Sequence, residues 1–410
     1  MYIFSRYLPI FSFVFASFST LSVADEYHYN NMLIGDRASG MGGAYTAISD
    51  DATGMFYNPA GILYVGERNF SASVNAYYSQ SKKYENVIGN RPFERNSSAL
   101  LANFFGIVKP MGNFKVGFSY AVPDAVSEDQ NQNFSNVSGS VSRFTMNLNN
   151  RDSTYNFGPS IAAELSSDLS VGLSLYIHKR DVQLILNQFQ ERTDGSNQWS
   201  NYYFKLSETG TRPVLGVMWS PVDKLSLGAS LSQTWVLAAN GQGQSTCWDS
   251  IAAVCNATIL QAPSITSFTA KRKYPLRMAV GAAYFPDSNL ILSGDVTYNA
   301  AVTDANYGNK EGTLNMAIGT EYYLNKNWAV RTGGYTNMAN TPVIQAGVTS
   351  IEERINLYGV SLSVSNFTNG SSITLGTSIN YGKGKSQILN NTSVQDATTL
   401  GWLMFLSSSY

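Results

Sequence analysis

From about residue 68 to the end, apolar and polar residues alternate with period two over short stretches separated by turn residues. Asn113–Val122 is the clearest. Phe114, Val116, Phe118, Tyr120 and Val122 fall on one face, and Lys115, Gly117, Ser119 and Ala121 on the other. Leu290–Tyr298, Thr313–Leu324 and Ile373–Tyr381 repeat the pattern. Alternation of this kind builds β-strands with one apolar face each. Fourteen such stretches begin near residues 68, 98, 113, 153, 169, 203, 224, 273, 290, 313, 328, 355, 372 and 398.

The connections alternate in length. Short ones fall at Met111-Gly112, Ser166–Asp168, Pro221–Lys224, Pro286–Asn289, Asn325–Asn327 and Asn366–Ser371. Long ones cover roughly 80–97, 123–152, 182–202, 238–272, 303–312, 338–354 and 384–397. In lipid every backbone N–H and C=O must be paired, so a sheet that crosses a membrane must close on itself. Bacterial outer-membrane barrels have short periplasmic turns, long external loops and an even strand number. A soluble sandwich or propeller would need a second layer over fourteen apolar faces and gives no reason for the two loop lengths. Tyr77-Tyr78, Trp219, Tyr284-Phe285, Tyr322-Tyr323 and Trp328 sit near segment ends, where interfacial aromatic girdles lie. The expected fold is therefore all-β: a transmembrane antiparallel barrel of about 14 strands over residues 68–410. At its end, Leu400, Trp402, Met404, Leu406 and Tyr410 resemble the C-terminal signal of outer-membrane proteins, with Ser408 departing from it.

Two features of the N-terminal part fit export. Arg6 is followed by the charge-free apolar run Tyr7–Phe18 and by the small residues of Ser22-Val23-Ala24, which reads as a signal peptide over 1–24 cleaved before Asp25. Beyond it no apolar run reaches the length of a helical membrane span. Charged residues are only 13% and the net charge is −1, without the basic excess of a nucleic-acid binder.

Residues 25–67 do not alternate. They are rich in glycine and small residues, with Ser49 and Asp50 placed to cap short helical turns, and too short for a domain of their own. Such a segment ahead of a barrel is expected inside the lumen, as a hatch. The run Gly35-Asp36-Arg37-Ala38-Ser39-Gly40-Met41-Gly42-Gly43-Ala44-Tyr45, followed by Asp50-Asp51-Ala52-Thr53-Gly54-Met55-Phe56-Tyr57-Asn58-Pro59-Ala60-Gly61, resembles the N-terminal hatch of the FadL/TodX family. Members of that family are outer-membrane channels for long-chain fatty acids and other hydrophobic compounds. The resemblance implies diffusive uptake of a hydrophobic small molecule without a cofactor. The ligand would meet apolar grooves among the external loops, pass to a site beside the hatch, and leave sideways into the outer-membrane lipids at a kinked third strand. A family relative acting as a surface or secretion partner is the alternative. Gly40, Gly42, Gly43, Asn58, Pro59 and Ala60 carry the hatch motif, and Asn58-Pro59-Ala60 is expected against the third strand. Gly117 is the candidate for the break in that strand. Tyr27, Tyr29, Met32, Leu33 and Ile34 are placed to touch ligand, and loops 123–152 and 238–272 to capture it outside. The first would need Phe134, Val137, Val141, Phe144 and Met146 to cluster. A monomer is the default expectation.

Other chemistry is poorly served. Gly40-Met41-Gly42-Gly43 lacks the preceding strand of a dinucleotide fingerprint. His178 faces inward on the fifth stretch without a serine motif, and His28 has no visible partner, so no catalytic or metal site is assigned. Asp50-Asp51 lacks the ligand spacing of a calcium loop. Cys247 and Cys255, eight apart in an exported chain, form a loop disulfide by default. Lys271-Arg272-Lys273 reads as a solvated strand end.

Overall fold

The computed structural model describes residues 26–66, 70–137, 139–251, 260, 262–347, 353–388 and 393–409. The expected signal peptide, Tyr410 and Cys255 lie outside them. The expected Cys247–Cys255 disulfide therefore falls outside the described residues; Cys247 is buried on a strand.

One antiparallel sheet forms the wall. Its segments are β1 (Phe70–Ile88), β2 (Arg91–Met111), β3 (Phe114–Ser135), β4 (Val141–Ser166), β5 (Leu169–Arg192), β6 (Asn197–Val222), β7 (Leu225–Ser232), β8 (Trp235–Asp249), β9 (Ser264–Phe268), β10 (Arg277–Asp287), β11 (Leu290–Asn299), β12 (Thr313–Asn325), β13 (Trp328–Asn337), β14 (Glu353–Phe367), β15 (Ser372–Ser386) and β16 (Gln395–Ser409). β7 and β8 both pair with β6, along its second and first halves, and are two pieces of one crossing. β9 on β8 and β10 on β7 are likewise one crossing. The wall thus has fourteen crossings. It closes through β5–β6 pairing, with β1 against β16.

The turns at one end are tight, as expected. At the other end the structure departs from the sequence reading. Stretches 80–97, 123–152 and 182–202 are not loops but hydrogen-bonded sheet, so β2, β4 and β6 begin earlier than expected. The first of these hairpins turns at Gly89-Asn90, both with positive φ (55° and 59°).

The physical reason is an inversion of the alternation. On β5, Leu173, Leu175 and Ile177 face outward while Ser170, Ser174, Tyr176, His178 and Arg180 face inward. Beyond Arg180 the faces exchange character. Lys179, Asp181 and Gln183 point out, and Val182, Leu184 and Leu186 point in. β14 does the same, with Tyr358, Val360, Leu362 and Val364 outward but Ile355 and Leu357 buried. An apolar face belongs outward only where lipid is the solvent; above it, water lies outside and the apolar residues turn in. The strands therefore rise as a crown with its own interior core, comprising Tyr84, Phe93, Phe134, Phe144, Met146, Val182, Leu184, Leu186, Leu206 and Ile355 among others. A second core fills the lower lumen, where residues 34–65 of the plug (26–66) pack, built from the helices α1 (Asp36–Gly40) and α2 (Gly54–Tyr57) and the 3-10 helix Pro59–Tyr64.

Candidate binding and gating site

The plug is bonded to the wall by buried polar groups. Asn58 is fully buried. Its amide nitrogen donates to the carbonyls of Thr46 (2.8 Å) and Val217 (2.9 Å), and its Oδ1 accepts from the Ala60 N–H at 3.2 Å. The Asp295 carboxylate accepts from the Tyr45 and Thr46 N–H groups (2.9 and 2.8 Å). Glu321 binds Arg37 of the plug and Arg331 of the wall, each at 2.7 Å. Ser174, Ser226 and Ser361 donate to the plug carbonyls of Met55, Ala47 and Gly40 at 2.7 to 2.9 Å.

Wall glycines make room for this contact. A Cβ on Gly172 would lie 2.3 Å from the Pro59 carbonyl carbon, and one on Gly216 2.0 Å from Asn58 Oδ1. The Asn58-Pro59-Ala60 motif thus packs on β5 and β6 rather than on the third strand. Gly42 and Gly43 take positive φ, and Gly42 lies against the backbone of Gly333-Gly334. Gly40 abuts Ser363. Gly117 is not where the third strand breaks. It pairs with Val108 on one side and Ser160 on the other, and the space of its missing side chain is taken by the Met55 sulfur.

The break lies higher. β2 and β3 pair from Met111/Phe114 to Phe104/Ala121, and then only at Ser97/Glu128. Residues 98–103 and 122–127 face each other without a ladder, and β3 carries a bulge at Val122-Pro123. Proline supplies no N–H there, which suits an interrupted strand. The plug's leading segment lies across the inside of this gap. The Met32 N–H donates to the Pro123 carbonyl (3.2 Å), and Asn103 Nδ2 donates to the Leu33 carbonyl (3.0 Å). Met32 packs with Val122 and Ala125, against Leu101, Tyr120 and Tyr155. Leu100 projects outward beside the gap, 73% exposed.

Two cavities flank the segment. The inner one, of about 160 Å³, is lined by Tyr29, Met32, Leu33, Phe56, Tyr57 and Pro123, with Arg212, Arg277 and Asn156 as polar groups. Arg212 is 9% exposed, stacks 4.5 Å over the Phe56 ring, and leaves Nη1 without a hydrogen-bond partner. Beside Arg277, Asp295 gives its Oδ2 to the plug amides and leaves Oδ1 without a hydrogen-bond partner. The outer cavity, about 410 Å³, lies in the crown between Val182, Tyr202, Phe204, Leu206, Phe268 and Tyr307, with Glu26, Arg180 and Arg272 among its lining.

Tyr29, Met32 and Leu33 line the inner cavity. Tyr27 lies instead under the ammonium groups of Lys82 and Lys310, and Ile34 is in the plug core. His28 Nε2 is 2.6 Å from the Ile355 carbonyl, and His178 faces inward beside Asn156 and Tyr274. Phe134, Val137, Phe144 and Met146 do cluster, as crown rather than loop residues, and the buried Val141 accepts at its carbonyl from the Val137 N–H (3.1 Å). The sequence reading missed Arg212 and Arg277, which look like any inward polar strand residue. It also missed Arg272, which turns inward from the basic run.

Curated protein sequences include no match to this chain. Solved structures do match its fold. A Pseudomonas aeruginosa FadL homologue superposes with a TM-score of 0.67 at 14% identity, covering 93% of this chain and 99% of that one. The P. putida toluene transporter TodX gives 0.64 at 13%, covering 93% and 98%. The CymD monoaromatic hydrocarbon channel gives 0.59 at 13%, covering 92% and 97%. Residues 17–352 match the profile of the family described as "Outer membrane protein transport protein (OMPP1/FadL/TodX)". With its fourteen-crossing wall and lumenal plug, the chain belongs to this family of outer-membrane β-barrel channels.

Proposed function

We propose that this chain passes a hydrophobic small molecule with an anionic head, of the long-chain fatty acid class, from the crown to the membrane through the wall. The observation that carries this is the unladdered gap between β2 and β3, closed from inside by Met32 and Leu33. Unpaired backbone at membrane depth is expensive unless protein covers it. Here the cover is a segment held to the wall by scattered hydrogen bonds and ion pairs rather than by a strand ladder, so withdrawal of 26–34 joins the inner cavity to lipid. An acyl chain gains about 0.8 kcal/mol per buried CH₂, so leaving into lipid is favoured over leaving into water.

Arg212 supports the anionic head. A buried guanidinium with spare donors and no carboxylate is costly, and a ligand carboxylate would satisfy it. The inner cavity is smaller than the roughly 300 Å³ of an ordinary ligand pocket. With the plug docked it holds a head group, and the tail must extend into the gap. Its size also suits a single aromatic ring, the alternative that the hydrocarbon channels among its structural neighbours favour. The test is binding of a fluorescent long-chain fatty acid to the purified, detergent-folded protein, beside Arg212→Gln and a variant lacking 26–34. Saturable binding, weakened about tenfold by Arg212→Gln and lowered by the deletion, supports the reading. Binding of toluene but no fatty acid would replace it with the aromatic one.

A further inference from the structure

Glu26 sits at the floor of the outer cavity, and its Oε1 is shared by two guanidiniums. Arg180 Nη2 donates to it at 2.7 Å, and Arg272 Nη2 lies at 2.6 Å. Both arginines are fixed from the barrel side. Asp152 accepts two bonds from Arg180 (3.0 and 2.6 Å). Arg272 stacks 4.3 Å over Tyr307, and its Nε is 3.5 Å from Glu208. Glu26 alone among these groups belongs to the plug. Above it the cavity is apolar and aromatic: Val182, Tyr202, Phe204, Leu206 and Phe268.

A carboxylate between two arginines at the foot of an apolar chamber is the arrangement a fatty acid would itself require. We propose that Glu26 is the protein's own occupant of an anion site in the outer cavity, and that the carboxylate of an incoming amphiphile displaces it. This rests on the anionic-ligand reading above. The exchange replaces one carboxylate by another, so the arginines are never left unpaired in a poorly hydrated site. A neutral ligand offers no such replacement.

Displacement reaches the gap through the backbone. Glu26 and Met32 are six residues apart, at most about 20 Å of extended chain. Between them the segment is also held through its carbonyls: Asn340 Nδ2 and Lys310 donate to Glu26 (2.9 and 3.2 Å), the Asn340 N–H to Tyr27 (2.8 Å) and Asn337 Nδ2 to Asn30 (3.0 Å), with Lys82 and Lys310 over the Tyr27 ring and His28 beside Ile355. Loss of the two Glu26 ion pairs removes the charged end of this set, and so weakens the hold on the residues that close the wall. A head group arriving in the crown would unlatch its own exit.

The test follows hydrogen exchange at the Met32 and Ile34 amides in the detergent-folded protein. Palmitate is expected to speed exchange there about tenfold, and the matching alcohol to leave it unchanged. Glu26→Gln should exchange faster without ligand and respond little to palmitate. The latch is overturned if palmitate binds the wild type without altering exchange, or if ligand-free Glu26→Gln exchanges like wild type. That second result needs no ligand, so it separates failure of the latch from failure of the fatty-acid reading, which shows as absence of palmitate binding.

Discussion

At Gly216 a single hydrogen atom decides whether the plug can seat. A Cβ there would meet Asn58 Oδ1 at 2.0 Å and Pro59 Cδ at 2.8 Å. Neither atom can retreat, because Asn58 is tied to Thr46, Val217 and Ala60, and proline holds its ring rigid. Gly216→Val should leave the barrel folded, since β6 still pairs with β5 and β7 at this point. It should displace the Asn58 side chain, costing on the order of 1–3 kcal/mol for each buried polar group left unpaired. The expected readout is protease cleavage within 35–61 under conditions where the wild-type plug resists. A plug equally protected in the variant would refute the seating argument. The two sides of this contact differed in legibility. The Asn58-Pro59-Ala60 motif stands out in the sequence, whereas Gly172 and Gly216 look like any strand glycine. What sets them apart is their pairing across β5 and β6 beneath Pro59, which only register shows.

The plug behaves as an element with its own electrostatics. Asp51 lies near Asp36, Asp50 and Arg37, and burial foremost, then the Asp36 charge, raises its pKa to about 6. Its bonds from the Thr53 N–H (2.7 Å) and hydroxyl oppose that shift without cancelling it. The docked plug therefore holds a proton that an undocked one would release. Docking is strongest where Asp51 is protonated in both states, weakens as pH rises from roughly 4 to 6, and is level above that. The expected change is about 1–3 kcal/mol. Hydrogen exchange of residues 36–61 should quicken over that pH range, after correction for the intrinsic rate. Asp51→Asn should remove the trend, and a trend that survives the substitution would place its origin elsewhere. The acidic pair Asp50-Asp51 was visible in the sequence. Its partner Asp36 was not, because only the fold of α1 brings residues fifteen apart together.

At the scale of the whole molecule, the inverted alternation marks where lipid ends. Fourteen stretches with one apolar face were enough to read a barrel from sequence. The crown was misread as loops because its strands are apolar on the opposite face, so each strand changes parity midway. On β5 that change falls between Ile177, the last outward apolar residue of the band, and Val182, the first inward one. On β14 the outward band runs from Tyr358 to Val364. Tyr358 is eight residues along the strand from Asn366, which pairs with Trp328 at the tight-turn end. With a strand tilt near 40° this is roughly 20 Å of membrane height, close to a thin outer-membrane core. Nitroxide labels at Leu173 and Leu175 should be more accessible to oxygen than to a water-soluble nickel chelate, and labels at Asp181 and Gln183 the reverse. Leu362→Arg, mid-band, should cost about 2–4 kcal/mol in folding free energy, while Gln183→Arg should cost almost nothing. If both arginines were tolerated equally, the crown would have to lie within lipid. The outward-facing Lys179–Asp181 ion pair (3.2 Å) and Gln183 would then have to sit in hydrocarbon, so the two measurements together locate the membrane boundary on this chain.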